Sequence, residues 1–200
     1  MNKNLLMIFT RNPELGKVKT RLAKSLGDKK ALEIYIFLLN RTKEIVEQLS
    51  CDIAVFYSEK VRDNDIWENK GYQKYAQEGN DLGERMLNAF DTSFKKGYEK
   101  VAIIGSDLYD LEPQHINSAF QQLDNHDAVI GPADDGGYYL LGLKKVIPEI
   151  FKNKQWGTST VRENTLSDLK KHNVFLLSIL NDVDIFDDIK DHPAFSQFLN

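Results

Sequence analysis

The chain has little of what builds covalent or metal–thiolate frameworks: its 200 residues include one cysteine, Cys51, and four histidines. A single thiol forms no internal disulfide and no thiolate metal cage. His115, His126, His172 and His192 stand far apart without metal-ligand spacing, so histidine-based catalysis is not expected. Long hydrophobic runs are missing as well. Leu5–Phe9 and Tyr138–Leu141 fall far short of the roughly 20 residues that span a bilayer. With no charged, apolar and small-residue leader at the start, a cytoplasmic protein without membrane insertion is expected. Five prolines and twelve glycines form no linker, and no repeat or low-complexity tract divides the chain. A single domain over residues 1–200 is therefore expected. A G-x-S-x-G elbow and a nucleophilic-cysteine signature are also lacking, so covalent catalysis has no candidate.

What is present is an ordinary globular composition, 42% hydrophobic and 28% charged. The net charge of −4 argues against a nucleic-acid coat but hides an asymmetry. The first fifty residues hold ten Lys/Arg against five Asp/Glu, a net of +5; the last hundred hold eight against fifteen, a net of −7. Two solvated faces would explain this; so would a cleft with one wall for phosphates and the other for a divalent cation.

Apolar runs at Leu5–Phe9, Ile53–Tyr57 and Val101–Ile104 read as strands buried on both faces. Tyr72–Gln77, Ala128–Ile130, Tyr138–Leu143 and Val174–Leu180 complete the strand set. A helix is expected from Asp28 to about Leu49, its stripe made by Ala31, Ile34, Tyr35, Leu38, Thr42, Ile45, Val46 and Leu49. Asp81–Lys96 reads as a second helix stopped by Gly97, and Pro113 suits the first turn of a third. Thr160-Val161-Arg162-Glu163 has a capping-box pattern, and the tail reads as a short helix. Strands alternating with helices imply an α/β sandwich with a mostly parallel sheet, whose carboxyl edge collects the loops after Phe9, Ile104 and Ile130.

Two groups of residues carry chemistry. The loop after the first strand gathers Arg11, Lys17, Lys19 and Arg21 around Gly16, with backbone N–H groups near Lys19 and Thr20 as further partners for a di- or triphosphate. It lacks the spacing of a P-loop and the glycines of a dinucleotide fingerprint; a solvated basic turn is its plainer reading. Asp107 follows a buried strand, and Asp182 and Asp184 form Asp-Val-Asp, whose alternate side chains point the same way. Carboxylate oxygens in such places suit Mg²⁺ or Mn²⁺, although loop aspartates more often cap turns. Asp134 and Asp135 precede Gly136-Gly137 in a tight turn. Of Tyr138 and Tyr139, at least one is expected to be an ordinary strand aromatic, and Trp156 either covers a ligand or plugs the core.

These motifs together resemble a known family. Pro13 through Gly16-Lys17-Val18-Lys19-Thr20-Arg21-Leu22 is similar to the P-x-x-G-x-x-K-T-R-L loop of the bacterial radical SAM/selenodomain-associated transferase 1 group. That group consists of glycosyltransferase-like members of the nucleotide-diphospho-sugar transferase superfamily. Gly79-Asn80-Asp81-Leu82-Gly83-Glu84-Arg85-Met86 resembles its G-x-D-L-G-E-R-M segment, and Gly131–Leu140 its G-P-x-x-D-G-G-Y-Y-L block. Trp156–Val161 and Asp182-Val183-Asp184 follow in order, so the resemblance covers nearly the whole chain. It implies a GT-A-like three-layer α/β/α fold. By analogy with similar loops in 2-phospholactate guanylyltransferase and molybdenum-cofactor nucleotidyltransferases, it implies that the basic loop holds phosphates. It likewise implies that Asp107, Asp182 and Asp184 hold the metal, and that Gly79, Asp81, Leu82 and Arg85 lie near the nucleotide. Two departures, Leu108-Tyr109 where the family often has Cys-Pro and Ile185 where it often has Thr, alter the surroundings of that metal.

The expected function is a Mg²⁺- or Mn²⁺-dependent glycosyl- or nucleotidyltransferase with a nucleotide or nucleotide-sugar donor and a small-molecule acceptor. Asp107 and Lys17 are its expected catalytic groups, with Asp134 or Asp135 as an acceptor base. A homodimer is compatible with this reading. The alternative is a non-catalytic nucleotide-binding regulatory protein of the same fold.

Overall fold

A computed structural model describes residues 3–68 and 71–199. Seven strands form one sheet in the order β3-β2-β1-β4-β6-β5-β7: β1 is Asn4–Thr10, β2 Asp52–Tyr57, β3 Gln73–Ala76, β4 Lys100–Ile104, β5 Ala128–Pro132, β6 Tyr138–Leu143 and β7 Val174–Leu176. Pairing is parallel except along β6, which runs antiparallel to both β4 and β5. The reversal follows from chain length: β5 and β6 are joined by the short Ala133–Gly137 turn, which cannot hold the crossover that parallel neighbours need.

Alternate strand residues feed two cores. On one face Leu6, Ile8, Val55 and Ile104 pack with α1 (Thr20–Val46) and α3 (Pro113–Gln122), through Tyr35, Leu39, Ile116 and Phe120. On the other, Leu5, Met7, Phe56 and Ile103 pack with α2 (Leu82–Lys95), through Met86 and Phe90, and with Ile150 and Phe151 of a short 3₁₀ turn. The result is the three-layer α/β/α arrangement that the strand and helix alternation implies. A third cluster lies on the outer side of α1, where Leu22, Ile34 and Leu38 bury Val183, Ile189 and Phe195 of the tail. That cluster returns the end of the chain to its beginning.

Several element boundaries differ from the periodicity reading. The first helix starts at Thr20, and Gly27, at φ 81°, breaks its backbone just before Asp28. The expected start at Asp28 is thus the second half of a kinked helix whose first turns are Thr20–Leu26. Thr160 precedes α4 (Val161–Asp168) without making a side-chain cap, because its hydroxyl is engaged with that of Thr158. The late strand ends at Leu176, leaving only a bridge between Leu180 and Ala133 farther on. The tail forms 3₁₀ turns at Phe186–Asp188 and Pro193–Phe198.

β1 lies between β2 and β4, so successive connections leave it in opposite directions. A crevice opens beyond the carboxyl ends of β1 and β4 at this switch point. Its walls are set by close packing: a Cβ on Gly83 would lie 2.2 Å from the Phe151 carbonyl oxygen and 2.8 Å from Trp156 Nε1. Gly83→Ala, which in an isolated helix would stabilise by about 1 kcal/mol, is therefore expected to destabilise the protein. A thermal melt at or above the wild-type midpoint would show that the helix and the Trp156 segment are not in contact.

Candidate active site

The basic loop is fastened to the sheet by Asn12 and Tyr35. Asn12 is buried at 3% exposure; its side chain donates to the Lys60 carbonyl and accepts from the Glu59 N–H, fixing the loop against the end of β2. The Tyr35 hydroxyl, inside α1, accepts from the Arg11 N–H at 2.9 Å and shares hydrogen bonds with Thr10 and Ser106 hydroxyls at 3.2 Å. One phenol thus ties the loop after β1 to the loop after β4.

The charges then meet. Lys19 Nζ lies 2.9 Å from Asp107 Oδ2, with its side chain only 6% exposed. Arg21 Nη1 lies 2.5 Å from Asp184 Oδ2. The Val183 N–H donates to the Asp107 carbonyl at 3.1 Å, so the two aspartates of Asp-Val-Asp straddle the chain at Asp107. Burial works against the Lys19 cation, but Asp107, by charge and hydrogen bond, and then Asp184 and Asp182 outweigh it and raise its pKa. Lys19 also holds a left-handed backbone, φ 46° and ψ 43°, at the start of α1. Asp182 is pushed up to about 6, by burial first and then by repulsion from Asp107 and Asp135.

Two adjoining clefts share this centre. The larger, ≈ 710 Å³, is lined by Arg11, Lys19, Thr20, Arg21, Leu82, Arg85, Asp107 and Asp184 of the expected site residues. The smaller, ≈ 230 Å³, is lined by Asp107, Asp135 and Asp182 together with mainly apolar side chains. Gly16, Lys17, Gly79, Asp81 and Asp134 line neither cleft. Lys17 pairs with Glu14 at 2.8 Å and Glu59 at 3.5 Å on the outside of the loop. Gly16 takes φ 74° in the turn before it. Asp81 caps α2 by accepting from the Glu84 N–H, and the Gly79 carbonyl holds the Arg85 guanidinium at 3.1 Å. Asp134 points outward and exposed, whereas Asp135 accepts from the Gly137 N–H at 2.7 Å.

Tyr35, Ser58, Gln77 and Ser106 also line the larger cleft, and the motif reading did not single them out as site residues. Periodicity marks Tyr35 only as part of an apolar stripe; a phenol in the first half of a buried stripe, near a basic loop, is the signal that the sequence offers. Tyr139 is buried, its ring against Gly131 and its hydroxyl donating to the Ser178 carbonyl. The Tyr138 and Thr165 hydroxyls are buried beside each other.

The donor set is of the kind that suits a hard divalent cation: carboxylate oxygens, with the charge of Asp107 and Asp135 adding to burial in raising the Asp182 pKa. Among the described residues no three such groups form a metal cage, so Asp107, Asp182 and Asp184 are not brought together as a ready-made site. An ion such as Mg²⁺ would need waters and substrate oxygens beside one or two of them.

Comparison with known proteins places this arrangement. Residues 41–158, more than half of the chain, match the family DUF2064, described as an uncharacterized protein conserved in bacteria. The chain belongs to this family. The matched span contains Asp107 and the Gly79–Met86 and Gly131–Leu140 segments. A crystal structure from Desulfovibrio desulfuricans G20, named as a candidate nucleotide-diphospho-sugar transferase, is 31% identical; the match covers 100% of this chain and 94% of that one, with a TM-score of 0.87. More distant structures share the fold. A 4-diphosphocytidyl-2C-methyl-D-erythritol synthase from Anaerococcus prevotii is 12% identical over 98% of this chain and 97% of its own, at a TM-score of 0.61. A cytidylyltransferase from Leptospira borgpetersenii is 15% identical over 94% and 84%, at 0.58. No curated protein matches the chain.

Two outcomes test this geometry. Tyr35→Phe leaves the Arg11 N–H without its acceptor and is expected to cost about 1–3 kcal/mol in denaturant unfolding; a loss below 0.5 would mean that water replaces the phenol. For Asp182, a folded pKa above the unfolded value means that stability falls as pH rises from about 4 to about 6. Asp182→Asn is expected to melt above wild type at pH 7 and level with it near pH 4. Parallel curves for the two proteins would contradict the crowding of these carboxylates.

Proposed function

We propose that the protein is a nucleotide-using transferase whose donor lies in the larger cleft. The observation that carries this reading is the meeting of the N-terminal cations with Asp107 and Asp184 at the sheet's switch point. Arg11, Lys19, Arg21 and Arg85 line one polar cavity beside Glu59, Asp107 and Asp184, and their guanidinium and ammonium groups suit the oxygens of a diphosphate or triphosphate. The names of the related structures, a candidate nucleotide-diphospho-sugar transferase and cytidylyltransferases, support the same class. The ordered motifs support the narrower resemblance to the radical SAM/selenodomain-associated transferases.

The residues divide the work by charge. The cations offset the negative charge that grows on the departing diphosphate, and do so from fixed positions, without reorganisation during reaction. Lys19 is held in place by Asp107 and so presents its ammonium at a defined point. Tyr35 and Asn12 keep the loop in register with Asp107. In this reading Asp107, Asp182 and Asp184 would hold Mg²⁺ or Mn²⁺, which would supply further positive charge against the phosphate oxygens. Phosphoryl-type departure depends on position and charge, so the lack of a nucleophilic side chain is no obstacle.

Calorimetric titration with a panel of nucleoside triphosphates and nucleotide-sugars, with and without Mg²⁺, tests the reading. One class is expected to bind at a single site, and Lys19→Ala to weaken it by at least about tenfold. Lys95→Ala, on the exposed face of α2, is the control. Absence of binding throughout the panel, or equal behaviour of the two variants, would overturn the assignment. Released pyrophosphate then marks nucleotidyl transfer and released nucleoside diphosphate glycosyl transfer.

A further inference from the structure

The donor assignment leaves the smaller cleft without a role. Phe9, Leu82, Gly105, Asp107 and Gly157 line both cavities, so the two open into one another beside Asp107. Their chemistry differs. The larger carries four Lys/Arg side chains beside Glu59, Asp107 and Asp184; the smaller has no Lys, Arg or His among its lining residues, and its charged groups are Asp107, Asp135 and Asp182. The rest of its wall is apolar, with Met86, Ile103, Leu108, Leu141, Trp156 and Val161 as the main surfaces. Tyr138 belongs to the same wall, its hydroxyl buried beside that of Thr165.

We propose that the smaller cleft is the acceptor site, and that the acceptor is a neutral molecule presenting a hydroxyl group from an apolar body. This rests on the transferase reading above and adds the class of the second substrate. A phosphate or carboxylate entering here meets no Lys, Arg or His in the lining, and it meets Asp135, which neither Lys19 nor the cation of the donor reading engages, so charge disfavours it. A hydroxyl is a donor, and ionised carboxylates only accept, so the rim of the cleft is complementary to it. An apolar body gains by displacing water from the Trp156, Leu141 and Val161 surfaces. At ≈ 230 Å³ the cleft is below the roughly 300–1,000 Å³ of sites that enclose a drug-sized ligand. It therefore encloses the reacting end of the acceptor and leaves the remainder outside. Its opening beside Asp107 faces that end toward the donor. The hydroxyl oxygen bonds to the transferred group, and the bond from that group to the donor diphosphate breaks. The electron pair leaves on the diphosphate oxygen, and the hydroxyl proton passes to Asp135, the lining carboxylate that the donor reading leaves free of the cation.

Benzyl alcohol and benzyl phosphate, which share a body and differ in charge, separate the possibilities. Binding is read from the indole N–H resonance of Trp156, assigned by its loss in Trp156→Phe. Benzyl alcohol is expected to shift it saturably, and benzyl phosphate to bind at least about tenfold more weakly with or without Mg²⁺. Val161→Phe, which fills the cleft, is expected to abolish the shift while the calorimetric nucleotide affinity stays within about twofold. Thr158→Tyr, on an exposed lining segment, serves the same purpose if the first variant misfolds. Benzyl phosphate binding as tightly as the alcohol, or a shift that survives the filling variants, overturns the proposal. Displacement of benzyl alcohol by uridine or cytidine also overturns it, by assigning the cleft to a nucleobase. Failure of every nucleotide to bind refutes the donor reading instead, and the alcohol–phosphate comparison still decides which ligands the cleft admits.

Discussion

The pairing of Lys19 with Asp107 is the contact around which the site is organised. An ammonium with 6% exposure is tolerable only because a carboxylate stands 2.9 Å away and two more lie nearby. Such a pair adds little net stability, since desolvation offsets the attraction, but losing either partner leaves a charge stranded. Here the asymmetry is sharp: Asp107 is about one-third exposed and can be rehydrated, whereas Lys19 cannot. The lysine therefore depends on the aspartate more than the reverse. The left-handed backbone at Lys19 adds a local cost of about 1–2 kcal/mol, which the surrounding contacts must hold in place.

Those contacts come from three distant stretches of chain. Tyr35, in the middle of a helix, holds the loop after β1 to the loop after β4. The tail reaches the same point because Val183, Ile189 and Phe195 bury themselves against Leu22, Ile34 and Leu38. Hydrophobic packing on the outer side of α1 thus delivers the Asp-Val-Asp segment, and the Val183 N–H to the Asp107 carbonyl fixes its register. Polar chemistry at the crevice is positioned by apolar contacts behind it, which is why variants far from the cleft can disturb it.

The two clefts give the molecule a division by charge that composition announced only as an excess of cations early and anions late. Cations from the loop after β1 and from α2 face one cavity. Carboxylates from the loops after β4, β5 and β7 face the other, and Asp107 belongs to both. The narrow family match at residues 41–158 takes in the middle of this arrangement, while the full-length likeness to the Desulfovibrio structure takes in both ends.

Buried strands, the stripe of the second half of α1 and the layer order follow from periodicity, because burial on a sheet or helix face imposes a repeat that local sequence displays. The kink at Gly27 and the truncation of β7 do not, because a lone glycine permits a break without requiring one and a strand's length depends on the neighbour it pairs with. For the site, the motifs marked the right segments but not the use of each residue. Lys17, Lys19 and Arg21 look equivalent in a loop of alternating cations; only the fold pairs Lys17 with Glu14 and Glu59, buries Lys19 against Asp107 and sets Arg21 on Asp184 at the surface. Likewise Tyr35 reads as one apolar step of a helix until its hydroxyl is seen between two loops. What the sequence determined alone was which stretches must be buried and which carry charge, since both depend on residue type and spacing. Which charges face one another was decided by tertiary structure, since electrostatic pairing depends on distance through space and the chain encodes it only by folding.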